Sequence, residues 1–178
     1  WHLIVYAPIC HQVWGGGWMG EMGVLDFAGG AVVHVNAGVA GLVCAIVLGP
    51  RHGWGRDNMA PHNLAFTAIG TGLLFVGWLG FNAGSAWAAD AIAGVAALNT
   101  ILAAAAAALG WTAVEWFHHK RPTLLGLLSG IVAGLVGITP AAGFVDPKGA
   151  FFIGILSGPA CYAGAVWLKK LLKYDDSL

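Results

Sequence analysis

The chain has 178 residues, of which 58% are hydrophobic and 9% charged, whereas a typical soluble domain carries about 25% charged residues. So few charges cannot coat a water-soluble surface, and an ordinary soluble globule is excluded. The formal net charge is zero, which leaves no basic surplus to neutralise phosphates and excludes nucleic acid as a partner.

Taken in chain order, residues 1–13 are apolar but too short for a full membrane crossing, and they read as the outer part of a truncated helix. A Gly-rich, acidic break follows, from Gly15-Gly16-Gly17 to Asp26. Apolar stretches of about 20 residues, enough to cross roughly 30 Å of hydrocarbon, then predict spanning helices over 27–49, 64–86, 89–116, 123–142 and 149–168. Gly49-Pro50, Pro61, Pro122, Pro140 and Pro147 punctuate them. Asp26 stands where a carboxylate would satisfy the free amides that open the next span. Nothing in the chain alternates like the strands of a barrel, so the class is all-α, a polytopic transmembrane helix bundle. The 28 glycines suit helices that approach closely through small side chains.

Arg51, Arg56, Lys120, Arg121, Lys169, Lys170 and Lys173 fall in alternate breaks, and only Lys148 lies on the other side. That side is assigned to the cytoplasm. Trp14, Glu21, Asp26, Ser85, Asp90 and Asp146 then face outward. Cys10, Cys44 and Cys161 show neither disulfide nor zinc spacing and are expected as small core residues. His118-His119 has no third ligand at a usual distance, so no metal or other cofactor is expected. His52, His62, His118 and His119 are placed in solvated cytoplasmic breaks, and Glu115 near Lys120 is read as a helix-end charge. No nucleophile, base and orienting group occur together, so the chain is not read as an enzyme.

Three places carry candidate chemistry. Trp14 sits at the outer interface, where an indole is either a belt anchor or a face that attracts a monovalent cation by roughly 0.5–2 kcal/mol. His34 lies roughly 12 Å below Asp26 at 1.5 Å per residue, inside the bilayer. There an imidazole marks a functional site by default, the other reading being a hydrogen bond to a neighbouring helix. Trp78, Phe81 and Ser85 stand at i, i+3 and i+7, one helical face with the hydroxyl outermost and two rings beneath it. Such a face is either the mouth of a path for a small polar solute or an aromatic core stripe with an interfacial serine.

The runs V-W-G-G-G (Val13–Gly17), L-D-F-A-G-G-A-V-V-H-V-N (Leu25–Asn36), P-H-N-L (Pro61–Leu64), G-F-N-A-G-S (Gly80–Ser85) and G-L-V-G-I-T-P-A (Gly134–Ala141) resemble the ammonium transporter family. The resemblance covers nearly the whole of 1–178, one membrane domain. It implies the central part of an eleven-helix fold built from two inverted repeats, in a homotrimer within the plasma or inner membrane. It also implies that Trp14 and Ser85 form an outer ammonium-recruitment site organised by Asp26. Phe81 is then one ring of a gate, Trp78 lines the pore, and His34 is one of two pore histidines. Trp14 and Ser85 fit the Amt branch better than the Rhesus branch. In the family the second histidine lies just beyond a D-D run, here Asp175-Asp176, so the chain reads as truncated at both ends.

The function this implies is transport: ammonium is attracted by Trp14 and Ser85, sheds water at Phe81 and gives up its proton. His34 then serves as hydrogen-bond partner and proton carrier in an apolar passage. Ammonium or ammonia, membrane lipid and a cytoplasmic PII-type regulator are the expected partners. Two alternatives from other classes are an ammonium-sensing membrane domain of a signalling protein and a channel for neutral gas or water.

Overall fold

The computed structural model describes residues 1–175; Asp176, Ser177 and Leu178, on which part of the D-D reading falls, lie outside the described residues. All regular elements among the described residues are helical. Helix α1 (Ala7–Trp14) continues a π-wound stretch, His2–Tyr6, and α2 (Trp18–Glu21) is a single turn inside the Gly-rich break. Helix α3 (Gly30–Leu48) opens with π-wound turns over Gly30–Val35. After a loop come α4 (Leu64–Gly84), α5 (Ala91–His119) and α6 (Leu124–Ile138). The last, α7 (Pro147–Leu172), contains Pro159 and, just after it, a π-wound segment, Ala163–Leu168.

Helices α3, α4, α5 and α7 are long and apolar enough to cross a bilayer, close to where the apolar stretches put them. Helix α6 departs from its expected span: it has 15 residues, roughly 22 Å of helix. The reason is Pro140, which has no N–H to offer Val136, so the chain leaves the helix at Thr139 and enters a turn over 139–145. The N-termini of α4 to α7 are capped alike. Asn63, Asp90, Thr123 and Asp146 accept from the backbone N–H of Phe66, Ala93, Gly126 and Gly149, which satisfies amides that no helix can satisfy internally.

The packed body is α5, α6 and α7. Its contacts are made by backbone approaching backbone. A Cβ placed on Gly154 or Gly158 of α7 would strike the carbonyl oxygens of Ala103 and Ala107 on α5, and one on Gly134 of α6 would strike Ala103 from the other side. The run Ala103–Ala108 is therefore a smooth groove into which both partners settle, and Ala103, Ile138, Ala142 and Ala150 are wholly buried there. Asn99 clips the 139–145 turn to this body, its Nδ2 donating to the carbonyls of Ala142 and Val145 at 2.9 and 2.8 Å.

The fold corrects two expectations, the first at the end assigned to the cytoplasm and the second along the helices. Glu115 is buried, and its carboxylate accepts from the Thr123 N–H and hydroxyl at 3.0 and 2.8 Å, so it clamps the α5–α6 turn and is not a solvated helix-end charge. His118 is exposed, as expected, although it belongs to the last turn of α5 and not to the break, and it lies 2.6 Å, Nδ1 to hydroxyl, from Tyr162 of α7. Cys44 and Cys161 lie on exposed faces and Cys10 is half-buried, so none is a core residue: an apolar position on a span can face lipid as readily as protein. At the same end, Arg51 binds Asp175 through Nε, Nη2 and its own backbone N–H, each at 2.8 Å, which ties the break after α3 to the segment after α7.

Candidate functional site

The site grows from one carboxylate. Asp26 is buried, with both oxygens turned into the start of α3, where they accept from the amides of Gly29, Gly30, Ala31 and Val32 at 2.6 to 3.0 Å. The residue beside the helix is Gly29, in the left-handed region (φ 107°), and this turn lets the chain fold back so that Asp26 reaches four amides rather than one. The carbonyl of Asp26 accepts from the Trp14 indole N–H at 2.7 Å. The indole nitrogen is thereby occupied and the half-exposed ring face remains available. The next residue, Phe27, donates its N–H to the carbonyl of Pro140 at 2.9 Å, and its ring meets Phe144 edge-on at 5.4 Å. Gly30 lies directly against the Pro140 ring. The α3 N-terminus is thus docked on the turn that ends α6.

This docking places His34 against α4 and α6. Its imidazole lies 5.0 Å from the Trp78 ring and 5.7 Å from the Phe81 ring, the latter nearly stacked at 28°. Its Nε2 is 3.1 Å from Thr139 Oγ1, which also accepts from the Trp78 indole at 2.9 Å. Asn82, the neighbour of Phe81, is wholly buried and donates to Thr100 of α5 at 3.0 Å, which holds this part of α4 in register with the body. Ser85, one turn above Phe81, donates to the Phe81 carbonyl at 2.8 Å.

Two cavities meet at this cluster. An outer one of about 560 Å³ is lined by Trp14, Asp26, Phe81 and Ser85, joined by Tyr6 and Trp87. An inner one of about 370 Å³ is lined by His34, Trp78 and Phe81 together with Leu73, Leu74 and Gly77. The Phe81 ring is common to both. All six residues singled out from the sequence are therefore at one locus: Trp14, Asp26 and Ser85 on the outer cavity, Trp78 and His34 on the inner one, and Phe81 between. Thr139, Tyr6 and Trp87 were not anticipated. Tyr6 and Trp87 carry no signal beyond being aromatic, and the hints at Thr139 are its place in the Gly134–Ala141 run and a hydroxyl set before a helix-ending proline. Among the described residues no three His, Cys, Asp or Glu side chains cluster as metal ligands.

Fold and locus together define a polytopic helical membrane protein with an aromatic-lined outer cavity above an inner apolar one that holds a histidine. A sequence profile of the Ammonium Transporter Family matches residues 1–178, and the chain belongs to that family. It is 54% identical to the ammonium transporter of Bacillus subtilis, matching over its whole length and over 44% of that protein. It superposes on the crystal structure of Saccharomyces cerevisiae Mep2 with a TM-score of 0.91 at 45% identity, covering the whole chain and 41% of Mep2. A solved structure titled Sensor Amt Protein matches with a TM-score of 0.89 at 33% identity, over 97% of this chain and 46% of that one. The chain thus spans less than half the length of each of these relatives.

Proposed function

We propose that a protein carrying this chain transports ammonium across the plasma or inner membrane. The ion is recruited in the outer cavity by the Trp14 ring face and the Ser85 hydroxyl. Asp26 acts without touching the ion, because its carboxylate is already engaged by four amides and its carbonyl anchors the indole. A cation–π contact of this kind is worth about 0.5–2 kcal/mol. At Phe81 the ion sheds water and gives up its proton, and ammonia enters the inner cavity beside His34, the proton carrier. Moving ammonia and a proton separately avoids most of the cost of placing a bare ion in a low-dielectric passage. Potassium is refused because it has no proton to give.

The observation that carries this reading is the shared ring: Phe81 divides a cavity rimmed by a hydroxyl and an indole from one whose only titratable lining group among the described residues is His34. The test uses the whole transporter in liposomes. An ammonium gradient is expected to drive a current that an equal potassium gradient does not, and His34→Ala is expected to abolish the charge movement or admit potassium. His34→Ala with both properties intact refutes the role given to His34. The homotrimer and the PII-type cytoplasmic regulator implied by the resemblance belong to the same proposal, and light scattering of the detergent-solubilised protein checks the first.

The match to the sensor structure favours a second reading, in which the same outer cavity reports ammonium to a signalling domain. Saturable ammonium binding without uptake or current would select it.

A further inference from the structure

The outer cavity is far larger than the ion it is proposed to recruit. Its volume is about 560 Å³, whereas a particle the size of a water molecule takes up about 30 Å³. One indole face and one hydroxyl leave most of that space unfilled. The aromatic rings that line the rest are mostly engaged elsewhere. Tyr6 stacks on His2 at 4.9 Å, Phe27 and Phe144 meet each other edge-on, and Phe81 lies against His34 and Trp78 at 5.7 and 5.8 Å. Trp14 and Trp87 are the two that remain.

The backbone at Trp87 sets it apart. After α4 the chain tightens through three successive turns, Ser85 to Asn82, Ala86 to Ala83 and Trp87 to Gly84, and then reverses at Trp87 with φ 58°. A left-handed backbone presses Cβ against a carbonyl oxygen in any residue but glycine, and a bulky side chain bears it worst. Among the described residues two other non-glycine positions share this conformation, Lys120 and Lys173. Both close a helix, where a left-handed residue is ordinary. Trp87 lies two residues beyond the end cap of α4 and is 94% exposed, so packing recovers little of the strain. A strained, unpacked indole on the wall of a cavity calls for a reason other than folding.

We propose that Trp87 is a second cation-attracting wall of the outer cavity, which closes over an ammonium ion already held by Trp14 and Ser85. This deepens the transport reading above and rests on its recruitment step. The Ser85 hydroxyl hydrogen is committed to the Phe81 carbonyl, so its oxygen is left to accept from the ion. Trp87 follows Ser85 by two residues, and its unpacked ring rotates about its side-chain bonds without breaking a contact. An indole face attracts a cation by its charge, whatever protons it carries. Trp87 therefore raises the occupancy of the mouth, while discrimination against potassium stays deeper, at Phe81 and His34.

The test measures half-saturation for ammonium in the whole transporter, from current in liposomes or, where no current flows, from binding. Trp87→Gly is expected to raise it about threefold, the loss of one exposed cation–π contact, while the protein melts no lower than the native one because glycine relieves the backbone. Trp87→Leu, which keeps bulk without a π face, is expected to match Trp87→Gly, and Trp87→Phe to fall between them and the native protein. Native half-saturation in Trp87→Gly, or in Trp87→Leu alone, overturns the inference, as does a melting temperature several degrees lower in Trp87→Gly. Trp14→Leu separates the two levels. If it raises half-saturation and the Trp87 variants do not, only the role of Trp87 fails; if none of them does, the recruitment step fails and takes this inference with it.

Discussion

The body of the molecule and its site-bearing side are held together by different forces. Helices α5, α6 and α7 lie against one another along glycines and alanines, carbonyl to Cα, with little side-chain volume between them. Helices α3 and α4 and the Asp26 loop are attached by a few directed hydrogen bonds: Phe27 to Pro140, His34 and Trp78 to Thr139, Asn82 to Thr100. In lipid no hydrophobic drive separates helices from solvent, so association comes from close packing or from polar contacts. Close packing leaves no room for a solute. Point contacts do, and the inner cavity lies on the side held that way, between α3 and α4.

The contrast is broken most severely at a glycine. Gly154→Ala drives a methyl group into the Ala103 backbone, which cannot yield, and should cost about 3 kcal/mol of stability. Gly70→Ala on α4, with nothing among the described residues within 4 Å of the new methyl, should instead gain up to about 1 kcal/mol from helix propensity. Thermal unfolding of the whole transporter in detergent measures both, and equal effects at the two positions would end the distinction. A smaller effect is expected on the polar side. Asp26→Ala strands four amides and loosens the loop that carries the Trp14 acceptor, for about 2 kcal/mol. Because that loop shapes the outer cavity, half-saturation for ammonium should rise in the same variant, whereas in Gly154→Ala it should be unchanged in whatever protein folds.

The smallest effect belongs to the far end. Arg51, by hydrogen bonding first and charge attraction second, holds the Asp175 carboxyl at about 2, below the usual carboxylate range. A depressed carboxylate stabilises the fold above its ordinary pKa and loses that contribution as pH falls through the lowered value. The tie should therefore persist at pH 4 and be lost as pH approaches 2. Hydrogen exchange of the Arg51 amide across that range reads it directly. Asp175→Asn should show fast exchange at every pH with little change in melting temperature, since partly exposed ion pairs contribute little.

Much of this was legible along the chain. Apolar length located the spans, and Asn63, Asp90, Thr123 and Asp146 stand where capping chemistry requires them. The grouping of Trp14, Asp26, His34, Trp78, Phe81 and Ser85 rested on the family resemblance more than on spacing. Helical periodicity puts Trp78 and Phe81 on one face but says nothing of which imidazole that face meets. Glu115 was misread because its partner, Thr123, lies across a turn whose geometry only the fold defines. The cysteines were misplaced because hydropathy scores lipid and protein interiors alike.

By itself, then, the sequence determined the class of molecule, the places of its long apolar helices and the residue types around the outer cavity. Each of these follows from transfer free energy and from local backbone chemistry. Only the tertiary structure decided that Phe81 separates two cavities and that Thr139 joins an indole to an imidazole. Those relations hold between residues dozens of positions apart, brought together by close backbone packing and by one proline that frees a carbonyl. Neither leaves a periodic trace in the chain.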